Sequence, residues 1–232
     1  MTYSLISIIL PVHNQADHLR EVLSEYESAF SNVQTPHEFL LAINACRDNS
    51  LAIANELAEG NESIRVVATE KGGWGRAVLL GLEAARGDLL CYTNLARTHA
   101  KDLALIVLYA TVYPNVVVKA NRKIRDNWHR RLGSLLYNLE CRALFDLSYW
   151  DINGTPKVFP RSFDKLLALT RKDDLIDAEF SARCRQEGYP VLEVPIFSNL
   201  RHGGVSTTSY ASAIKMYWGA FELWRNLRVD KR

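Results

Sequence analysis

The first 120 residues alternate short apolar runs with longer stretches whose apolar residues recur at helical spacing. Residues 5–10, 38–43, 64–68, 88–93 and 116–119 read as buried strands. Residues 15–30, 50–57 and 101–112 read as helices, and a glycine-rich turn at 71–75 opens another that runs to residue 85. Parallel neighbours need a return segment between them, and a helix after each strand supplies it. The expected fold is therefore α/β: a Rossmann-like, mostly parallel sheet with helices on both faces. In such sheets ligands sit beyond the carboxyl ends of the strands. That directs attention to the turns 11–15, 44–49, 69–76 and 94–98.

Beyond residue 120 the pattern changes. Residues 121–131 are polar and carry five Lys/Arg: Arg122, Lys123, Arg125, Arg130 and Arg131. Helices are expected over 128–145, 162–169, 174–187 and 209–227, with short strands at 157–159 and 191–194. In the 128–145 helix the stripe Leu132, Leu135, Leu136 and Leu139 reads first as core packing. Its second reading is an interfacial face beside the basic segment. The aromatic residues of the last helix, Tyr217, Trp218, Phe221 and Trp224, carry the same two readings. No linker divides the chain, so residues 1–232 are expected to form one domain, with 1–120 and 121–232 as its halves.

The net charge of +2 gives no bulk attraction to nucleic acid. Cys46, Cys91, Cys141 and Cys184 are widely spaced and form no C-x-x-C pair. That removes the usual metal and redox patterns, and reduced thiols suit a cytoplasmic location. The apolar start ends at Pro11, too short for a membrane span and without the basic lead of a signal peptide. Any membrane contact is expected to be peripheral, at the inner face.

Motifs fall on the expected turns in a definite order. They begin with Ile8-Ile9-Leu10-Pro11-Val12-His13-Asn14-Gln15 and Asn44-Ala45-Cys46-Arg47-Asp48-Asn49-Ser50. Lys71-Gly72-Gly73-Trp74-Gly75-Arg76-Ala77 follows, then Gly81 and Ala85-Arg86-Gly87-Asp88. Further on stand Asp151, Gly154-Thr155-Pro156-Lys157-Val158-Phe159 and Arg161. The last are Asp177-Ala178-Glu179-Phe180, Gly188-Tyr189-Pro190-Val191-Leu192-Glu193-Val194-Pro195, and Arg201-His202-Gly203-Gly204-Val205-Ser206. This order resembles family 2 of the glycosyltransferases, an inverting type of the GT-A fold, and within it the polyprenyl-phosphate branch.

The resemblance implies a nucleotide-diphosphate sugar as donor and a polyprenyl phosphate or glycan as acceptor. It places the nucleotide against Pro11, Val12, Asn14 and Asn44, with Asn44 where the family commonly has Asp. An amide both donates and accepts, so base preference would change. Asp48 reads instead as a helix cap. Lys71, Gly72, Gly75 and Arg76 combine close backbone approach with positive charge at a helix start, where a diphosphate or a base would sit. Trp74 would stack on a ring or cover core. For the base that accepts the acceptor's proton, Asp177 comes first, with Asp151 next and Glu179 as the third acid. Helix-start acids are the plain alternative. A phosphate acceptor is already ionised and needs little such help.

The acidic triplet D-x-D of the family is replaced by Asn94-Leu95-Ala96. Mg2+ and Mn2+ need oxygen ligands, preferably carboxylates. No metal ligand is therefore assigned. Asn94 and Arg97, with His99 and Lys101 nearby, would neutralise the diphosphate instead. The leading expectation is a glycosyltransferase that binds its donor without metal. The alternative is a non-catalytic nucleotide- or sugar-binding protein on the same fold. A nucleotidyltransferase ranks lower, because the first turn lacks glycine and cations. A dinucleotide-dependent dehydrogenase ranks lower still, because no G-x-G-x-x-G follows the first strand.

Overall fold

The computed structural model describes residues 3–123, 128–197 and 210–229. Element order is β1 (Ile6–Val12), α1 (Leu19–Phe30), β2 (His37–Asn44), α2 (Ser50–Ala58), β3 (Ile64–Thr69), α3 (Trp74–Ala84), β4 (Leu89–Tyr92) and α4 (Ala100–Val112). Then come β5 (Val117–Arg122), α5 (Trp128–Phe145), β6 (Lys157–Pro160), α6 (Ile176–Gln186), β7 (Val191–Ile196) and α7 (Tyr210–Val229). The seven strands form one sheet in the order β3-β2-β1-β4-β6-β5-β7. β1 runs parallel to β2 and β4, β2 to β3, and β5 to β7, while β6 is antiparallel to both its neighbours. The reversed β6 brings its first residue, Lys157, to the edge where β4 and β5 end.

Strand side chains alternate between two cores, as the pleat requires. Ile6, Ile8 and Leu10, with Phe39 and Leu41, meet α1 and α4 on one face. Ile9, Leu40, Leu90 and Tyr92 meet α3 and α6 on the other. Gly81 lets α3 lie against β1, since a Cβ there would come within 2.2 Å of Ile9 Cγ2. Beyond α6 a third cluster joins α5 and α7, where Tyr137, Cys141, Leu223 and Leu227 pack on Leu175 and Ala178.

Two expectations are corrected here. The helix expected over 162–169 shrinks to a single 3-10 turn, Asp164–Leu166. The chain is pinned on both sides of it. Arg161 donates to the carbonyls of Gly87 and Ala85, and Glu179 takes the Thr170 amide. The α5 leucines do not pack in the core. Leu132, Leu135, Leu136 and Leu139 are all exposed, because α5 turns Tyr137, Cys141 and Phe145 inward instead.

Candidate functional site

One side chain ties the carboxyl ends of β1 and β2 to the glycine-rich turn that follows β3. Asn44 Nδ2 donates to the Val12 carbonyl at 2.9 Å, and its Oδ1 accepts from the Gly73 amide at 3.2 Å. An amide does both, whereas an ionised carboxylate has no proton for Val12. Asn44 is buried, and this bridge occupies both ends of its side chain. Around it, His13 Nδ1 donates to the Asn44 carbonyl at 2.7 Å, and Asn14 Oδ1 accepts from the Arg47 amide at 2.7 Å. Pro11 and Val12 are buried, while His13 and Asn14 face outward. Asp48 caps α2 by accepting from Ser50 N at 3.0 Å, and also takes the Ala16 amide at 3.0 Å.

At the glycine-rich turn, the close backbone approach is to the protein itself. A Cβ on Gly75 would stand 2.4 Å from the Arg171 carbonyl oxygen and 2.7 Å from that of Asp173. The Arg76 amide donates to the Lys172 carbonyl at 3.1 Å. The 171–173 loop thus covers the start of α3, which the sequence reading left open for an anion. Lys71 and Gly72 remain exposed on the other side of the turn, and Arg76 is half-buried. Trp74 stands edge-on to Tyr92, and its Nε1 donates to Asp177 Oδ2 at 3.1 Å.

Each of the three candidate acids is engaged by protein groups. Asp177, at the start of α6, accepts from Tyr92 OH at 2.9 Å and from Trp74, and pairs with Lys157. Asp151 is gripped by Arg122 through Nε at 2.8 Å and Nη2 at 2.7 Å, and takes the Arg122 amide at 2.9 Å. Glu179 holds the covering loop: it accepts from Thr170 N, Thr170 Oγ1 and Arg171 N at 2.8–3.1 Å.

Beneath this edge runs a polar row that the sequence reading missed. Register places Tyr92 of β4, Lys157 of β6, Lys119 of β5 and Glu193 of β7 side by side. Both lysines are almost wholly buried, at 0% and 1% exposure. Burial pushes Lys157 down to about 8, against the pull of Asp177. It also lowers Lys119, against Glu193 and Asp151. Lys119 Nζ donates to the carbonyls of Trp150 and Asp151 and to Glu193 Oε1, at 2.7, 2.9 and 3.0 Å. It thereby straps the Asp151 loop to the sheet. Burial opposes the charge of Arg122, but Asp151 more than offsets it and raises the guanidinium above its usual range. A signal for this row was present: a lysine inside an apolar strand run, as in Val116-Val117-Val118-Lys119, needs a buried partner.

The turn after β4 tests the fit of a divalent cation. Asn94 is half-buried and offers one neutral oxygen, while Leu95 and Ala96 are buried and offer no side-chain ligand. Among the described residues no group of three His, Cys, Asp or Glu is placed to hold a metal. This donor set does not fit Mg2+ or Mn2+. Arg97 follows in the same turn, its amide donating to the Asn94 carbonyl at 3.0 Å. The 201–206 motif and residues 124–127 lie outside the described residues, as do the side chains of residues 128–131.

Comparison with known proteins gives a consistent answer. The sequence profile described as Glycosyl transferase family 2 matches residues 7–167. An undecaprenyl-phosphate 4-deoxy-4-formamido-L-arabinose transferase from Pseudomonas fluorescens is 26% identical over 175 residues, covering 74% of this chain and 52% of that protein. One of the same description from Sodalis glossinidius is 21% identical over 222 residues, covering 94% and 67%. The chain spans about half the length of the Pseudomonas relatives. Among solved structures, glucosyl-3-phosphoglycerate synthase from Mycobacterium tuberculosis, in complex with Mn2+, UDP-glucose and phosphoglyceric acid, has a TM-score of 0.73. It is 16% identical and covers 95% of this chain and 78% of that one. That likeness is one of fold.

Proposed function

The chain belongs to glycosyl transferase family 2, and on that premise we propose that it moves a sugar from a nucleotide-diphosphate donor onto a phosphate acceptor, a polyprenyl phosphate. One observation carries the choice of acceptor. Each acid nominated as base is already bound: Asp177 to Lys157, Asp151 to Arg122, and Glu179 to the 170–171 backbone. A carboxylate whose oxygens already accept from protein donors must give up those hydrogen bonds before it can take a substrate proton. A hydroxyl acceptor needs a base, whereas a phosphate arrives ionised. The names of the undecaprenyl-phosphate relatives support the same class.

In this reading residues 1–120 hold the donor and residues 121–232 the acceptor. The nucleotide lies along Pro11, Val12 and Asn14 and against Lys71 and Gly72, with Asn44 and Gly75 shaping the turns from beneath. Asn94, Arg76 and Arg97 face the diphosphate and stabilise the charge that grows on it as the bond to the sugar breaks. Inversion follows from attack by the acceptor phosphate on the side of the sugar opposite the leaving diphosphate. No step is assigned to a metal. Asp151 positions Arg122 at the end of β5, where its charge favours an anionic acceptor. Asp177 and Glu179 hold α6 and the 170–174 loop in place.

A lipid acceptor requires approach to a bilayer. No helix among the described residues is long and apolar enough to cross one. The exposed α5 leucines, with Trp218 and Phe221 of α7, offer an apolar face instead. On α7 the exposed Lys215, Arg225 and Arg228 outnumber the exposed Glu222. That is the composition of a helix lying on an anionic lipid surface, and it favours peripheral contact at the inner face of a membrane.

The test is a binding panel of nucleoside diphosphates and nucleotide sugars with Mn2+, with Mg2+ and with EDTA, followed by transfer from the best donor to undecaprenyl phosphate. A ligand at a hundredfold excess over Kd adds about 2.7 kcal/mol, a Tm rise of roughly 5–10 °C for a chain of this size. Binding that survives EDTA, with product on the lipid phosphate, is the expected result. Binding only with metal would refute the cation-based donor site. Nucleotide binding without transfer to any acceptor would favour the second reading, a non-catalytic binding protein, which the Asn94-Leu95-Ala96 replacement also supports.

A further inference from the structure

Trp74 opens α3 and shares its sheet-facing side with the buried Val78 and Leu82, four and eight positions on. Side chains of a helix tilt toward its N-terminus. The indole therefore projects past the start of α3 and over the carboxyl edge of the sheet. It rests edge-on against Tyr92, the last residue of β4, with centroids 6.4 Å apart. Beneath it the core is closed. Tyr92, Phe159 and Phe180 are almost wholly buried, and Phe180 stands edge-on to the other two at 5.8 and 5.5 Å. Trp74 itself is only half-buried, and among the described residues no cation and no second ring stacks on it. Its Nε1 donates to Asp177 Oδ2 at 3.1 Å, while Oδ1 of the same carboxylate takes Tyr92 and Lys157. A buried carboxylate thus fixes the tilt of a ring that is still partly open to solvent.

We propose that Trp74 is the platform on which the donor's sugar ring stacks, with Asp177 as the residue that positions it. The inference rests on the transfer proposed above and names the contact that holds the transferred group. The sugar is the part of the donor that must lie between the two halves of the chain, because its reacting carbon faces the diphosphate on one side and the acceptor on the other. Trp74 stands at that seam. It belongs to the glycine-rich turn of the donor half, lies over the end of β4 two residues before Asn94, and is hydrogen-bonded across to the first turn of α6. A flat apolar ring suits the C–H face of a pyranose or furanose, whose hydroxyls at the rim keep their own hydrogen bonds. Because the indole N–H is already held, the ring loses little freedom when the sugar settles on it. The arrangement also gives Asp177 a task that leaves its oxygens committed to protein donors.

Calorimetric titration of the full chain tests it, with UDP against UDP-glucose and GDP against GDP-mannose. The wild type is expected to bind one of the sugar-bearing forms more tightly than its bare diphosphate. Trp74→Leu is expected to weaken the sugar-bearing form about tenfold, the order of one well-placed ring contact, and to leave the bare diphosphate unchanged. Trp74→Phe, which keeps a flat ring, is expected to retain most of the difference. A second measurement does not depend on the leucine variant folding. Among the chain's five tryptophans, the fluorescence change on adding the sugar-bearing form is expected to be absent with the bare diphosphate and absent in Trp74→Phe. Equal weakening of both ligands by Trp74→Leu overturns the inference, since Trp74 would then only shape the turn. So does a wild type that gains nothing from the sugar, or a sugar-dependent signal that persists in Trp74→Phe. A wild type that binds no nucleotide at all overturns the proposed transfer, and this inference with it.

Discussion

Replacing Asn44 by aspartate restores the residue common in the family and changes only one group. In this fold it removes the proton that Asn44 Nδ2 gives to Val12 and sets a carboxylate oxygen against the Val12 carbonyl, across what is now a 2.9 Å hydrogen bond. A buried acceptor left without its donor costs about 1–3 kcal/mol, and the lost bond itself about 1. The contact with the Gly73 amide survives and becomes charge-assisted, returning some of that. The expected net loss is about 2–3 kcal/mol at neutral pH, a fall in Tm of roughly 5–10 °C.

The assay is thermal melting of both proteins from pH 8 down to pH 5. Burial and the facing carbonyl raise the new carboxyl's pKa in the folded state above its unfolded value. The folded variant therefore binds more protons in between, and its stability rises as pH falls. Once protonated, the introduced carboxyl again has a donor for Val12, so the deficit is full at pH 8 and shrinks toward acid. A variant as stable as wild type at pH 8, or one that binds nucleoside diphosphate more tightly, would refute the reasoning. Either result would mean that the Asn44 amide faces the ligand rather than the neighbouring turns.

The other predictions concern the same edge and its surroundings. Gly75→Ala presses a methyl group into the backbone of residues 171–173 and is expected to cost about 1–3 kcal/mol with or without nucleotide. Gly72→Ala meets only the Ala45 methyl at 3.4 Å and is expected to change Tm little, so equal melts for the two variants would contradict the packing described. Lys157→Met leaves Asp177 buried without its cation and is expected to cost about 3–5 kcal/mol, with much of it recovered when Asp177→Leu is added. Lys157 has its pKa lowered to about 8 in the fold, below its unfolded value, so the unfolded chain holds the extra proton from about pH 8 to about pH 10. The gap between wild type and Lys157→Met is thus expected to widen as pH rises through that window, and a gap that narrows contradicts the assignment. Leu135→Glu with Trp218→Glu is expected to abolish co-sedimentation with anionic vesicles without altering the melt; undiminished pelleting would remove the case for that face.

The order of strands and helices was legible because its signals are local. The apolar run 5–10, the spacing of Leu19, Val22, Leu23, Tyr26 and Phe30, and the turns at Pro11, Asn44 and Gly72 each act within a few residues. Strand alternation then set which residues face which core, and helices between strands required a mostly parallel sheet. The edge that bears the candidate site followed from the same pattern. The stripe on α5 was equally visible, but whether it faced core or solvent depended on Tyr137, Cys141 and Phe145 taking the inner side.

What the tertiary structure decided is where charge goes. Asp177 meets Tyr92 from 85 positions away, and Asp151 meets Arg122 from 29. No local spacing reports such encounters, so the sequence could nominate these acids but not tell whether their oxygens were open or taken. The reversal of β6 aligned Tyr92, Lys157, Lys119 and Glu193 into one row, which exists only once four strands are in register. Gly75 reads the same way in isolation whether a diphosphate or a loop approaches it, and only packing placed the 171–173 backbone there. Secondary structure is specified by neighbours along the chain, whereas the state of a buried charge is set by whichever partners the fold carries to it through space.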